Sequence, residues 1–269
     1  EVVWVGGKQE GGKLGDLFAF KQDHIFKDWD DVKANANNRY DAIGELYGPA
    51  AWEALKDKAG KQPIEPGDVC WADLNNDGVI NNLDRVKVGN LFPTVTGGFS
   101  TTLGYKDFSL YARFDYALGH TLYNDLAARS LGQYQGSFNI IDMVKDSWSE
   151  TNQNTDIPKF YYADQLSKKN ITRSNNGLTA VDNNSSRFYE KGDYLALREI
   201  TLTWNLPKKW INKALMSNAS VYVTGQNLFY ITGYTGVSPE PAVDTTYGQG
   251  LDNGRYPTPK TVLLGLSVT

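Results

Sequence analysis

Apolar and polar residues alternate in long runs through the second half of the chain. Over residues 94–105 one side reads Val95, Gly97, Phe99, Thr101, Leu103, Tyr105 and the other Thr94, Thr96, Gly98, Ser100, Thr102, Gly104. After the short Lys106-Asp107 turn, Phe108, Leu110, Ala112, Phe114, Tyr116 and Leu118 alternate with Ser109, Tyr111, Arg113, Asp115 and Ala117 over 108–118. A period of two puts each set on one face of a β-strand. Residues 193–206 repeat the pattern, with Ile200, Leu202 and Trp204 between Thr201, Thr203 and Asn205. The run stops at Pro207, which cannot donate to a ladder. Segments 217–231 and 259–269 complete the set, the last with Val262, Leu264, Leu266 and Val268 on one face. Residues 1–93 are less regular: 29–40 and 49–59 read as short helices, and 15–26 as a possible further strand end.

A soluble β-sandwich also alternates, but three features point elsewhere. The strands exceed the usual five or six residues or so of soluble sheets. Aromatic residues (Tyr105, Phe108, Trp204, Phe229, Tyr230) gather toward strand ends, where interfacial girdles form. The connections alternate between short (106–107, 207–216) and long (119–192, 232–257). Short turns at one end and long loops at the other predict an all-β fold, a portion of a large antiparallel transmembrane barrel. With residue 269 near the periplasmic end, strand parity puts the long loops and 65–93 outside the cell. Five or six strands cannot close, and an open edge in hydrocarbon leaves backbone groups unpaired, so further strands are expected from preceding sequence. Residues 1–7 lack the basic start and apolar run of a signal peptide, which agrees with that expectation.

Composition changes this picture little. The 269 residues are 41% hydrophobic, 22% charged and 13% aromatic, enough to bury a core. A net charge of -4 without a Lys/Arg run argues against nucleic acid. The single cysteine, Cys70, excludes an intrachain disulfide, leaves the compartment open and reads as inert. No window approaches the ~18–20 consecutive apolar residues of a membrane helix, a test that barrel strands do not have to pass.

The chemical motif is the segment 73–84, which fits a twelve-residue calcium loop. Asp73, Asn75 and Asp77 occupy positions 1, 3 and 5, Gly78 the sharp turn, and Val79 offers a carbonyl. Asn81 stands at position 9 and Asp84 at position 12, where sensor EF-hands carry glutamate, so the loop is closer to the dockerin type. Such a calcium ion is expected to be structural, pinning an outer loop, while the bland alternative is a set of Asx turns. The histidines, His24 and His120, are far apart in sequence, which argues against a His-based metal site or a Ser-His-Asp triad. There is no Walker loop, dinucleotide fingerprint or nucleophile elbow. The sequons at Asn170 and Asn218 read as coincidence. Loop carboxylates read as solvated charge, with a glycosidase pair as the alternative.

Several motifs also carry a family resemblance. Pro66-Gly67-Asp68, the 73–84 loop, Arg85, Val88-Gly89-Asn90, Pro93 and Gly97-Gly98-Phe99 resemble the corresponding stretch of SusC/RagA-type TonB-dependent transporters. So do Gly192-Asp193-Tyr194-Leu195, Leu197-Arg198, Ile200-Thr201-Leu202, Leu206-Pro207, Gln226-Asn227-Leu228-Phe229, Gly236, Pro239-Glu240, Tyr256-Pro257 and Leu264-Gly265-Leu266, in the family's order. Ser238 replaces the common aspartate before Pro-Glu, and Thr269 is not the terminal aromatic that barrel assembly recognises.

The resemblance implies the C-terminal part of a 22-stranded barrel whose plug and TonB-contacting region lie outside this chain. It implies import of oligosaccharides or peptides across the outer membrane of Bacteroidetes-type bacteria, under a SusD-like surface lipoprotein, in a higher-order transporter–lipoprotein assembly, without catalytic residues. Loop aromatics such as Tyr134 and Trp148 would stack on sugars or simply fill the loop core. The competing readings are a secreted calcium-stabilised β-sandwich that binds carbohydrate, and a glycoside hydrolase.

Overall fold

The computed structural model describes residues 10–36, 64–76, 82–128, 131, 142–160, 185–212, 216–240, 250–252, 254 and 256–269. The helix expected over 49–59 lies outside them. The chain divides into two compact units: Glu1–Leu91, Thr121–Glu190 and Val243–Gly254 form one, and Phe92–His120, Lys191–Ala242 and Arg255–Thr269 the other.

The first unit is built from short strands: β1 (Asp16–Phe20), β2 (Gln22–Ile25), β3 (Val69–Trp71), β4 (Arg85–Asn90), β7 (Thr121–Asn124), β8 (Tyr189–Lys191) and β11 (Leu251–Asp252). β1 pairs with β4, β2 with β3, and β7 lies between β11 and β8. The segment 15–26, read as one strand end, is thus two strands with different partners. Helix α1 (Trp29–Ala36) is shorter than the 29–40 expected, residues 37–40 lying outside the described set. It starts where the Asp28 carboxylate accepts a hydrogen bond from the Asp31 amide at 2.9 Å, and Asp30 and Asp31 suit the positive end of its dipole. A single helical turn, α2 (Asp125–Ala128), follows β7. Apolar clusters hold the unit: Phe20, Ile25, Val69, Trp71 and Trp148 in one, and Tyr123, Ala128, Leu131, Ile157 and Phe188 in another. Trp148 therefore fills the loop core and is not available for sugar stacking, while Tyr134 is outside the described residues. Gly67, at φ +93°, lies against the Trp148 ring, where a Cβ would meet ring carbon 2.5 Å away.

Asp16, at the start of β1, is buried and accepts from Lys87 Nζ (2.7 Å), Asn90 Nδ2 (2.8 Å) and the Lys13 amide (3.0 Å). Burial pushes its carboxyl up, but these donors outweigh burial and hold it below its ordinary 3.8. A depressed carboxylate contributes stability above the unfolded value and loses it as pH falls through the folded one. Melts of Asp16→Asn against wild type are accordingly expected to differ most above pH 3.8 and to converge as the medium is acidified further. A gap that stayed constant into strong acid would disprove the linkage.

The second unit is one antiparallel sheet of long strands in the order β12-β10-β9-β6-β5. They are β5 (Val95–Tyr105), β6 (Phe108–Leu118), β9 (Tyr194–Asn205), β10 (Ala219–Thr232) and β12 (Thr261–Val268). All five alternating segments are thus strands, and each pairs with its sequence neighbour in the set. A one-turn helix, α3 (Lys208–Ile211), links β9 to β10.

The registers align the alternation across the sheet. Leu103, Leu110, Leu202, Val223 and Leu264 form one continuous row, and Tyr105, Phe108, Trp204, Val221 and Leu266 the next. This apolar face is exposed, to 77% at Leu264 and 71% at Val262. The opposite face carries Ser109, Thr203 and Tyr222 in one row and Tyr111, Thr201 and Thr224 in another. Thr201 and Thr224 hydrogen-bond across strands at 2.8 Å. Tyr222 lies over Gly265, its direct partner on β12, where a larger residue would collide with the ring.

Tyr105, Phe108 and Trp204 form an aromatic row beside the short turns. Phe108 stacks on Trp204 at 5.9 Å, and Trp210 of α3 meets Trp204 edge-on. Tyr230 departs from the girdle expected of it. Its neighbour Phe229 takes the apolar face, so Tyr230 points to the polar one, where its hydroxyl is hydrogen-bonded. Among the described residues, no strand pairs with the outer edge of β5 or β12. No helix among them is long and apolar enough to cross a membrane.

Candidate functional site

The expected calcium loop is described at its two ends. Asp73 and Asn75 follow β3, and Asp84 closes a 3₁₀ turn (Asn82–Asp84) before β4. Asp84 is fully buried, and its Oδ1 accepts from the Leu74 amide at 2.9 Å, so the last motif position folds back onto the second. Asn76 takes a left-handed φ of +58°, as Asx-rich turns allow. Asp77 and Val79, with Gly78 and Asn81, lie outside the described residues.

A second site emerges on the polar face of the long sheet. β9 carries one extra residue at Arg198: Glu199 stands opposite Arg113 of β6, and Leu197 opposite Phe114. β10 is irregular at the same level, between Gln226 and Phe229, where Asn227 has φ +51°. The bulge re-aims Arg198 out of the alternation. Its Nε donates to Asp115 Oδ2 at 2.7 Å and its Nη1 to the Tyr230 hydroxyl at 3.1 Å, while Nη2 donates to Glu240 Oε1. The Tyr230 hydroxyl in turn donates to Glu240 Oε1 at 2.8 Å. Tyr194 packs edge-on against Tyr230 at 5.7 Å.

Glu240 reaches this cluster because the segment after β10 folds back. Ser238 Oγ accepts from the Glu240 amide at 3.3 Å, a short-range turn contact that an aspartate there would also make. The Pro239 carbonyl accepts from Nε2 of the buried His120 at 2.9 Å. His120 also accepts the Gly192 amide through its own carbonyl, and its ring lies against Gly192, which leaves no room for a side chain there. Two adjacent residues, Pro239 and Glu240, are thus latched to the sheet at separate points. The sequence marked Pro239-Glu240 and Leu197-Arg198 as motifs but did not link them; a lone arginine inside an alternating strand was the signal.

No protein-family model matches the chain. The chain is 31% identical over 241 residues to a TonB-dependent receptor of Formosa agariphila, covering 85% of this chain and 22% of that receptor. A second such receptor of the same organism is 32% identical over 216 residues. The TonB-dependent receptor SusC of Bacteroides thetaiotaomicron is 25% identical over 263 residues, 97% of this chain and 23% of SusC. The chain thus spans about a fifth of the length of the curated relatives it matches. All three are receptors, not enzymes. Among solved structures, the RagAB peptide transporter superposes with a TM-score of 0.56 at 24% identity, over 75% of this chain and 21% of that one. The RagAB importer in its open-open state gives 0.54 at 23%. At such identities the likeness establishes the fold.

Proposed function

This chain is a homologue of part of the SusC/RagA-type TonB-dependent receptors of the bacterial outer membrane, and from that premise we propose that it supplies barrel strands and outer loops of an importer for oligosaccharides or peptides. The observation that carries this reading is the long sheet itself, one face apolar and exposed, the other polar and bearing a bulged arginine. A β-sandwich would bury its apolar face against a second sheet. A transmembrane barrel turns that face to lipid and the polar face to the lumen. In this reading the sheet's outer strands join others of a 22-stranded barrel. The long connections face outward beneath a SusD-like lipoprotein, and TonB engages a region beyond this chain. Binding occurs in the lumen and transport follows plug movement, without catalysis.

The test is extraction of the protein from native outer membranes in detergent and measurement of its mass with whatever co-purifies. A much larger barrel accompanied by a surface lipoprotein is the expected result, and uptake assays with labelled glycan or peptide then separate the two substrate classes. A soluble, folded chain of this length alone would overturn the proposal.

The loop 73–84 is, in the same reading, a structural calcium site with Asp73, Asn75, Asp77, the Val79 carbonyl and Asp84 as ligands. Hard oxygen donors suit a hard cation, and the fold-back of Asp84 gives the loop the closure such coordination needs. Calcium at a hundredfold excess over its dissociation constant adds about 2.7 kcal/mol to the folded state. EGTA should therefore lower the melting temperature of the receptor, and Asp73→Asn should shrink that response. A melting temperature indifferent to both calcium and EGTA would remove calcium from the account.

A further inference from the structure

Within the first unit, His24 of β2 stands directly opposite Cys70 of β3. Opposed residues of an antiparallel pair share one face, so ring and thiol meet on the same side of the ribbon. The ligand atoms of Asp23, His24 and Cys70 all lie within 4.8 Å of one another. Asp23 Oδ2 is 2.9 Å from His24 Nδ1, and Asp31 Oδ1 of α1 is 3.3 Å from Nε2 on the other side of the ring. Asp31 is itself fixed, accepting from the Lys27 amide at 3.0 Å and from Asn35 Nδ2 at 2.7 Å. Phe26 packs edge-on against the imidazole at 5.5 Å.

This arrangement has a chemical asymmetry. Each ring nitrogen faces a carboxylate, yet a neutral imidazole carries a single N–H. With Nε2–H donating to Asp31, the Nδ1 lone pair faces the Asp23 carboxylate, a contact that either a second ring proton or a metal cation satisfies, and the nearby Cys70 sulfur favours the metal. A carboxylate holding the far nitrogen of a ligating histidine is the usual outer support of a zinc site. Thiolate, imidazole and carboxylate together select a first-row transition ion over calcium or magnesium. Asp23 is exposed and, with His24 and Lys27, lines a cleft of about 430 Å³, which gives an ion a way in to the carboxylate and the imidazole, while Cys70 is itself buried beside Phe26 and Val32.

We propose that Asp23, His24 Nδ1 and Cys70 form a binding site for zinc or a similar thiophilic divalent ion, oriented by Asp31 and completed by a solvent ligand. The ion would replace the Asp23–His24 contact and displace the thiol proton to solvent. The site is independent of the calcium loop and of the transport reading.

The test uses the intact receptor in detergent with calcium present, so that oxygen-ligand sites are filled. Cobalt should give a thiolate-to-metal charge-transfer band that zinc abolishes. Cys70→Ser should eliminate the band, and Asp31→Asn should weaken affinity by about 10–100-fold while the melting curve shows a folded protein. Absence of the band in folded receptor would overturn the proposal. So would unchanged zinc affinity in His24→Ala.

Discussion

Ile200→Arg in the receptor that carries this chain is expected to cost about 2–4 kcal/mol of folded barrel in lipid, the range for a cation on the lipid face near the bilayer midplane. Ile200 belongs to the apolar face, in the row of Thr101, Ala112, Gly225 and Val262. It stands four positions before Trp204 of the aromatic row along the strand, roughly 13 Å at strand rise, about half the height of a lipid-facing band. Its flanking partners are small, so a long side chain there meets lipid more than protein. Thr203→Arg, on the polar face, is expected to cost less than about 1 kcal/mol, because a lumen-facing cation keeps its water. Folding yield and heat-modifiable mobility in lipid vesicles give the comparison. Equal tolerance of the two substitutions would mean that the apolar face does not meet hydrocarbon.

Arg198→Met should release the latch formed by the segment after β10. The guanidinium makes three hydrogen bonds to charged or phenolic partners, each worth about 1.5–3 kcal/mol when well buried. Asp115 and Glu240 are about a third exposed and can rehydrate once the arginine is gone, which discounts the sum to about 2 kcal/mol. That loss corresponds to roughly thirtyfold faster amide exchange in residues 233–240 if opening of the segment is local. Glu240→Gln keeps an acceptor for Tyr230 and should have a smaller effect. Unchanged exchange in Arg198→Met would mean that the Pro239–His120 contact alone holds the segment.

The two expectations differ in how much the sequence disclosed. A period of two survives averaging, so the five long strands and their apolar face could be read before any pairing was known. Pairing itself could not: β2 with β3 and β7 with β11 are made by strands of two to four residues, too short for a period to register. The Arg198 bulge was hidden for a related reason. An extra residue shifts the face of everything beyond it, and only the partner strand shows where the shift occurs. Tyr230 was misplaced by this, since closeness to a strand end says nothing of the face. The neighbours of His24 were hidden in the same way, since Cys70 reaches it only through a strand pair and Asp31 only through a helix.

β6 and β9 are adjacent in the sheet although residues 119–193 separate them. For the sheet, that whole excursion is a hairpin turn of unusual length. Loop closure grows only logarithmically, each doubling costing about 0.6 kcal/mol, while the register of β6 on β9 is fixed by their own side chains. For the sheet the connection is therefore a cassette: stretches of it that carry no core residue such as Trp148 or Phe188 can lengthen, shrink or be exchanged between relatives at little thermodynamic penalty, and the sheet keeps the same pairing throughout.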